Sequence, residues 1–314
     1  MTLMENTNYT TVNGFVLLGL SRVPYLQGPF FFLFLTMYVT TVLGNMLLII
    51  AVKLNTQLQT PMYFFLCNLA FIDICFSSTT VPQMLINTLR RHKNISLLGC
   101  AAQMYFSLAL GATECLILAI MAFDRYAAIC KPLHYNTIMN NRVCIALSSS
   151  CWSFCFINST VHVALTFQLP FCWSHLVNHF FCEMPPFFRL SCRDTWLNEV
   201  AMYTSAVIIV LCSLLLTLSS YVHIITTILA IRSSRKRHKA FSTCTSHLIV
   251  ITVFYSTIMF TYLQPHSTYS PETNKKVSVL YAAVIPMFNP IVYSVRNQGV
   301  KETLKRLLTT KNRY

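Results

Sequence analysis

The chain has 314 residues and a net charge of +14, with 55% hydrophobic and only 10% charged residues. A typical soluble protein has about 25% charged residues, and a disordered chain combines high charge with low hydrophobicity. The composition therefore excludes disorder and argues against a water-soluble globule. A mean hydropathy of +0.56 predicts a protein whose main solvent is lipid.

Seven long apolar stretches follow one another along the chain. The first lies between Arg22 and Lys53, and a helix needs only about 20 residues to cross the hydrocarbon core of a bilayer. The other six are 61–89, 94–123, 143–171, 200–231, 240–264 and 277–295. Runs of this length lack the alternation of a barrel strand. The predicted fold class is an all-α membrane protein, a bundle of seven transmembrane helices.

The basic residues are unevenly distributed between the segments that join these spans. Eight of the 23 Lys and Arg residues fall in 1–22, 90–93, 172–199 and 265–276, and the other fifteen fall at Lys53 and in 124–142, 232–239 and 296–314. Because cytoplasmic segments carry the excess of Lys and Arg, we expect the N-terminus outside the cell. The positive charge is a topology signal, and no nucleic-acid partner is expected.

This topology divides the chain into three parts: an extracellular N-terminus at 1–22, a seven-transmembrane domain at 23–295 and a cytoplasmic tail at 296–314. The outer segment contains the sequon Asn8-Tyr9-Thr10, which predicts glycosylation at Asn8. In the tail, apolar residues recur at helical spacing beside Lys and Arg, which predicts a short amphipathic helix on the inner membrane surface. These apolar residues are Val300, Leu304, Leu307 and Leu308.

Two acidic residues lie inside predicted spans. Asp73 is about 18 Å from the cytoplasmic start of the second span, and Glu114 is about 15 Å from the cytoplasmic end of the third, at 1.5 Å per residue. A charge at this depth is costly and usually functional. The two carboxylates must share a proton, a cation or polar partners, and the sequence leaves these alternatives open. One alternative is a neutral acid hydrogen-bonded to Asn45, Ser78 or Asn289.

The 13 cysteines separate into two groups. Nine lie in spans or on the cytoplasmic side, where cysteine acts as a small apolar residue. The remaining four are Cys100, Cys172, Cys182 and Cys192, which allow three disulfide connectivities. The run Cys172-x2-His175-x3-His179-x2-Cys182 also has metal-ligand spacing. Because an extracellular loop favours oxidation, and a disulfide cannot ligate a metal, disulfides are the preferred interpretation.

Five strings occur in order along the chain, each in a matching span. LQTPMYFFLCNLAFID opens the second span, MAFDRYAAICKPLHY closes the third, SY ends the fifth, KAFSTCTSHL begins the sixth and PMFNPIVYSVRN ends the seventh. Together they resemble the olfactory receptors of tetrapod type, within the rhodopsin-like G-protein-coupled receptors, over nearly the whole chain. The departures are Phe123 and Phe288, where the family usually has Tyr and Leu.

The resemblance implies a receptor for small, mostly apolar volatile molecules that activates a stimulatory, olfactory-type heterotrimeric G protein and raises cAMP. It implies a location in the plasma membrane, in the cilia of olfactory neurons. It also implies the disulfide bonds Cys100–Cys182 and Cys172–Cys192, and a sodium ion near Asp73 and Glu114 that stabilises the inactive state. No enzyme is expected, since the sequence has no phosphate-binding glycine loop or nucleophile elbow.

The resemblance further assigns a coupling switch to the cytoplasmic half of the bundle. Asp124, Arg125 and Tyr126 end the third span, where an Asp–Arg pair can hold the resting state. Tyr221 and Tyr293 are the expected partners of Arg125 after activation. In the seventh span, Pro286 and Pro290 each remove a backbone hydrogen bond, and Asn289 supplies a polar side chain at that break.

A ligand-binding face is predicted on the third span, where Met104, Ser107, Leu108, Gly111 and Ala112 share one side of a helix. Close packing of helices is an alternative role for the small residues. On the residues that match the family, the cavity is also lined by Met202, Ser205, Ala206 and Ile209 and by Tyr255, Ile258, Met259 and Tyr262. Asn158 and His162, one turn apart, add a polar corner. No residue names the ligand.

Two other functions compete with an odorant receptor. A transporter or channel would also place acids in the membrane, but it predicts an internal repeat and midspan glycine breaks, and neither is visible in the sequence. A receptor of the same family that acts outside the nose fits the sequence equally well. The site of expression distinguishes this second alternative.

Overall fold

The structure is a computed structural model that describes residues 14–20, 24–90, 93–172, 175–262, 271–296, 299–303 and 305. Its architecture is a bundle of seven long helices. They are α1 (Pro24–Leu54), α2 (Pro61–Leu89), α3 (Leu97–Cys130), α4 (Asn141–Phe167), α5 (Trp196–Ala230), α6 (Ser234–Tyr262) and α7 (Pro271–Arg296). The predicted fold class is confirmed.

Length and composition explain why these segments are helical. Six of the helices are long and apolar enough to cross a membrane, and α6 contains the shorter apolar stretch His247–Thr261. In lipid a backbone must satisfy its own hydrogen bonds, which a helix does within one segment. Side-chain caps fix two of the starts: Ser96 accepts a hydrogen bond from the Gly99 amide, and Asn140 accepts one from the Val143 amide.

Two helices contain a π-helical segment. In α5 it spans Val207–Leu211, and in α7 it spans Leu280–Val284. Both segments contribute residues to the bundle interior: Ile209 and Val210 in α5, and Tyr281 in α7, are buried. Segments of this kind occur mostly as single turns inside α-helices and are frequent at functional sites.

The core is continuous along α3, which is the most buried of the long helices. Ile117, Leu118 and Met121 are fully enclosed by the neighbouring helices. Proline shapes the contact between α1 and α7. Pro290 has no amide hydrogen for the carbonyl of Pro286 four residues earlier, and the Asn45 side chain donates to that carbonyl at 3.1 Å instead.

The end of the bundle that carries the disulfide bonds is covered by a small sheet, and we call it the disulfide end. The strands are β1 (Gly14–Leu17), β2 (Asn94–Ser96) and β3 (Leu176–Val177), in the order β2-β1-β3. β1 is antiparallel to β2 and parallel to β3. The opposite end, which carries Arg125, is called the Arg125 end.

Several helix limits differ from the sequence prediction. α3 begins at Leu97 because residues 94–96 form β2, and α4 ends at Phe167 rather than at 171. α6 begins at Ser234, so part of the predicted basic loop 232–239 is helical. Lys275 and Lys276, predicted in a loop, lie in α7. The starts of α6 and α7 are polar, and hydropathy detects only the part of a helix that is buried in lipid. The end of α4 is set by Pro170, which follows the C-cap residue Gln168 by two positions and cannot continue the helix.

The predicted tail helix is present where the structure describes it. Residues 299–303 are helical, and Val300 is buried. Thr303 accepts a hydrogen bond from the Asn55 amide at 2.8 Å, which fixes the helix to the end of α1. Leu304, Leu307 and Leu308 lie outside the described residues, as does the sequon residue Asn8.

Candidate functional site

A cavity opens between α3, α4, α5, α6 and α7. Eleven of the fifteen predicted ligand-binding residues line it: Ser107, Leu108, Gly111, Ala112, Asn158, His162, Met202, Ser205, Ala206, Ile209 and Ile258. The lining is mostly apolar with a few polar groups, which is the usual composition of a small-molecule site. The face of α3 that was predicted from helical spacing thus borders this cavity.

The other four predicted residues do not form part of the described lining. Met104 is buried above the cavity, in the apolar cluster around Cys100 and Cys182. The Tyr255 hydroxyl donates to the Cys115 carbonyl at 3.2 Å, so this side chain is used in packing α6 against α3. Met259 packs at the edge of the main core, and the side chain of Tyr262 lies outside the described residues.

Several lining residues were missed by the sequence prediction. They are Phe76, Glu114, Cys115, Phe181, Met184, Val210, Phe254 and Tyr281. Phe181 and Met184 come from the loop 168–195, which folds onto the cavity because Cys182 is bonded to Cys100 at the start of α3. Phe181 and Met184 lie within two residues of Cys182 in the sequence. This closeness to a cysteine of the implied disulfide bond is the signal that would have identified them.

Both implied disulfide bonds are present, Cys100–Cys182 and Cys172–Cys192. The four cysteines are therefore unavailable for the metal-ligand pattern in that loop. Of its two histidines, His175 is exposed and His179 is buried against α7. Within the described part of the chain, no group of three or more His, Cys, Asp and Glu side chains is arranged to hold a metal ion.

Hydrogen bonds join the same loop to α7. The Tyr281 hydroxyl donates to Oε1 of Glu183 at 2.7 Å, and Nε2 of His179 lies 3.3 Å from the Ser278 hydroxyl. Burial and the nearby Lys275 ammonium lower the pKa of His179 to about 3. The imidazole is therefore neutral, and its 3.5 Å contact with Glu183 is not a pairing of full charges. The loop is thus fixed over the cavity by both covalent and polar contacts.

A polar corner is formed where α4 meets α5. Ser205 donates to Oδ1 of Asn158 at 3.0 Å, and His162 lies one turn further along α4. His162 is buried, and its ring makes no hydrogen bond within the described residues. These side chains stand out in a lining that is otherwise mainly apolar.

Of the two intramembrane acids, Glu114 is part of the cavity lining and Asp73 is not. Asp73 is fully buried and accepts two hydrogen bonds from Nδ2 of Asn289, at 3.0 and 3.1 Å. Glu114 is also buried, and its Oε1 has no partner among the described residues. Of the three hydrogen-bond partners considered for these acids, Asn289 is the one in contact with Asp73. Asn45 instead bonds to the backbone of Thr41 and Pro286, and Ser78 bonds to Tyr38.

At the Arg125 end, the Arg125 guanidinium pairs with the adjacent Asp124 at 2.6 Å. The Tyr135 hydroxyl donates to the other Asp124 oxygen at 2.7 Å. Burial and this bond raise the pKa of Tyr135 well above its ordinary value, which keeps the phenol protonated as a donor. Tyr126 stacks beside His223 of α5. The Asp124–Arg125 pair is thus held by contacts within α3 and the turn that follows it.

The other predicted switch residues surround this pair without bonding to it. Tyr221 hydrogen-bonds to Nδ1 of His247 at 2.7 Å, and the hydroxyl of Tyr293 has no partner among the described residues. The sequence prediction missed His247. It lies inside KAFSTCTSHL, so the resemblance offered a signal, but a lone histidine on an apolar face gives no chemical reason to select it.

A seven-helix bundle with an apolar cavity between its helices and an Asp–Arg pair at one end defines a heptahelical membrane receptor. A family model described as "Olfactory receptor" matches residues 34–311. Olfactory receptor 5AP2 of Mus musculus is 46% identical over 97% of this chain and 96% of its own length. Olfactory receptor 8U3 of Homo sapiens is 45% identical, over 97% and 94%. Olfactory receptor 2G3 of Homo sapiens is 46% identical, over 97% and 98%.

The chain therefore belongs to the olfactory receptor family, within the rhodopsin-like G-protein-coupled receptors. This family is not enzymatic, as the sequence predicts. The chain is a multi-pass membrane protein.

Proposed function

We propose that this receptor binds a small, mostly apolar volatile molecule in the cavity and activates a stimulatory, olfactory-type heterotrimeric G protein that raises cAMP. The observation that carries the proposal is the arrangement of two sites on one helix. Gly111 and Ala112 of α3 line the cavity, and Asp124 and Arg125 lie in the last two turns of the same helix. A ligand that shifts α3 against α5 and α6 changes the surroundings of Arg125 directly.

The contacts of Arg125 support a resting state. Its guanidinium is paired with the Asp124 carboxylate, and the Tyr221 hydroxyl is hydrogen-bonded to His247. Activation would release Arg125 and bring it towards Tyr221 and Tyr293, whose hydroxyl needs a partner. Separation of α6 from α3 would then open a binding surface for the G protein between them.

The proposed topology has the disulfide end outside the cell and the Arg125 end inside. Disulfide bonds form in oxidising compartments, and the basic residues concentrate towards the opposite end. The receptor would act in the plasma membrane, in the cilia of olfactory neurons, with a glycan on Asn8. Protease protection of a tagged N-terminus and a gel shift after glycosidase treatment test these features.

A sodium ion is proposed to bind beside Asp73 and stabilise the resting state. Sodium prefers oxygen ligands, and the Asp73 carboxylate would supply them together with Oε1 of Glu114, which has no partner among the described residues. Basal activity should rise when sodium is replaced by a bulky organic cation. Equal sodium response in wild type and Asp73→Asn would exclude this site.

The test of the proposed function is a cAMP reporter cell that expresses the receptor and the stimulatory G protein. A panel of volatile compounds should yield agonists that raise cAMP without an ion current. Agonist-evoked current in the absence of the G protein would indicate a channel instead. Transcript location then distinguishes a receptor of the nose from one that acts in another tissue.

A further inference from the structure

The hydroxyl groups of the cavity have already donated their hydrogens inside the protein. Ser107 donates to the Met104 carbonyl at 3.1 Å, and Ser205 donates to Oδ1 of Asn158 at 3.0 Å. Tyr281 donates to Glu183 at 2.7 Å. A hydroxyl has one hydrogen to give, so none of these three groups is a ready donor for a ligand.

Asn158 and His162 do have hydrogens to give. The bond from Ser205 occupies the Asn158 oxygen, so the amide nitrogen with its two hydrogens is the group left over. Asn158 is half-buried, and no hydrogen bond from that nitrogen is found in the described part of the chain. His162 is 6% exposed and equally unpartnered there, and any imidazole carries at least one N–H. Two donors one helical turn apart thus border the cavity.

The rest of the lining decides what kind of molecule can reach these donors. Its side chains are mostly aliphatic and aromatic, and no Lys or Arg is among the described lining residues. A carboxylate ligand would be buried without a counter-charge, near the carboxyl of Glu114, which is costly. An ammonium ligand could pair with the Glu114 carboxyl, but it would leave the amide hydrogens of Asn158 unpaired. A hydrocarbon would leave both donors unpaired when it displaces water from them.

We propose that the cavity selects apolar carbonyl compounds, namely ketones, aldehydes and esters. The carbonyl oxygen accepts from Nδ2 of Asn158 and from the ring N–H of His162, one hydrogen for each of its two lone pairs. The alkyl part lies against the apolar residues of α3, α5 and α6. This inference rests on the proposed odorant function and names the ligand class of the same cavity.

The experiment compares eight-carbon probes that differ in one functional group: octan-2-one, octane, octan-1-amine and octanoic acid. cAMP output is measured in reporter cells, and binding is measured by the thermal shift of the purified receptor. Octan-2-one should bind and activate the wild type. Each of Asn158→Leu and His162→Phe should lower its potency about 10-fold, the value of one hydrogen bond of about 1.4 kcal/mol. The thermal shift produced by octane should not fall in either variant.

The matched control is Thr160→Val, on the same helix. Thr160 is exposed and bonds only to the Phe156 carbonyl of its own helix, so its loss should not change the response to octan-2-one. A further variant, Ser205→Ala, frees the Asn158 oxygen and should let the amide rotate. Octan-1-amine should then gain binding relative to octan-2-one.

The two measurements separate failure of this inference from failure of the proposed function. Binding of octan-2-one that depends on Asn158 and His162, without any cAMP signal, would support the inference and contradict the proposed coupling. Activation by octane, amine or acid in preference to the ketone would overturn the inference and leave the coupling intact. The inference would also be overturned by a surface-expressed receptor that binds none of the probes, or by equal loss of octane and ketone in the variants.

Discussion

At the disulfide end, two disulfide bonds, a three-stranded sheet and the hydrogen bonds of Tyr281 and His179 attach a loop to α3 and α7. At the Arg125 end, the polar contacts between the described parts of the helices are single side-chain hydrogen bonds such as Tyr221 to His247. Arg125 itself pairs within α3. Covalent closure keeps the cavity in one shape, whereas single hydrogen bonds can be exchanged at little cost. The difference between the ends suits a receptor whose cavity is constant and whose coupling surface changes.

The largest expected effect comes from removing the Cys100–Cys182 disulfide bond. Cys100→Ser opens a loop with a sequence separation of 82 residues, and a cross-link of that span stabilises a fold by about 4 kcal/mol. We expect surface expression to be lost, as measured by flow cytometry of an epitope-tagged receptor. The matched control is Cys212→Ser, because Cys212 is a free and exposed cysteine. Normal surface level and ligand response of Cys100→Ser would contradict the comparison between the ends.

The next effect is the loss of signalling without loss of folding. Arg125→Ala removes a guanidinium that bonds to its neighbour Asp124 and to no other helix among the described residues. We therefore expect near-normal surface expression and ligand binding but no agonist-evoked cAMP. Arg142→Ala, at an exposed position of α4 at the same end, should signal normally. If Arg125→Ala signals at the wild-type level when surface amounts are matched, Arg125 has no role in the switch.

A change in the cavity itself should alter which ligands act. A Cβ placed on Gly111 would lie 3.8 Å from Phe76, an ordinary contact, so a larger side chain extends into empty space. Gly111→Leu should abolish responses to the bulkiest agonists and spare shorter homologues, since each methylene in an apolar pocket is worth about 10–200-fold. The measurement is a dose–response series over chain length. Gly28→Leu, where a Cβ has no neighbour within 4 Å, controls for the added side chain.

Equal loss of all agonists in Gly111→Leu, or loss of none, would mean that Gly111 serves helix packing alone. The short homologues therefore provide the decisive comparison, because a packing defect affects every ligand in the same direction.

The smallest expected effect is a pH dependence at the disulfide end. The folded pKa of His179 is about 3, below its ordinary 6.5, so closing the loop disfavours the protonated ring. The stabilisation of the closed loop is complete above about pH 6.5 and falls as the pH drops towards 3, by about 1.4 kcal/mol per unit. Thermal unfolding of the purified receptor should show this loss between pH 7.5 and 5.5.

His179→Gln should reduce that pH dependence, whereas His175→Gln, at an exposed position, should retain it. The charged groups that face His179 are Glu183 and Lys275. Identical pH profiles for wild type and His179→Gln would show that another group is responsible.

Much of the bundle was predictable because lipid imposes a simple rule on sequence. Charge gaps located all seven helices, and the spacing of Ser107, Gly111 and Ala112 identified the face of α3 that borders the cavity. Both signals depend on the sequence within a single helix. The helix ends were less accurate because polar first turns, such as 234–239 of α6, extend beyond the apolar core.

The features that the sequence did not reveal depend on contacts between segments that are far apart along the chain. Phe181 and Met184 enter the cavity through the fold of a loop, and β1 pairs with strands about 80 and 160 residues away in sequence. Tyr255 and Ile258 were predicted to line the cavity together, but Tyr255 reaches back to the Cys115 carbonyl. The same spacing fits several rotations of α6, and the neighbouring helices choose between them.

The π-helical segments at Val207–Leu211 and Leu280–Val284 act as built-in insertions. Each takes up one extra residue in a wide turn, because its hydrogen bonds span five residues where those of an α-helix span four. In α5, Met202 and Ser205 precede the insertion, and Tyr221 follows it. Deleting one residue there would close the wide turn into regular α geometry, so Tyr221 would keep its direction towards His247, whereas Ile209 and Val210, which lie inside the segment, would change their positions on the cavity wall. Chain length at these two points therefore sets which side chains the wide turns present to the cavity, while the helix beyond each turn keeps its direction.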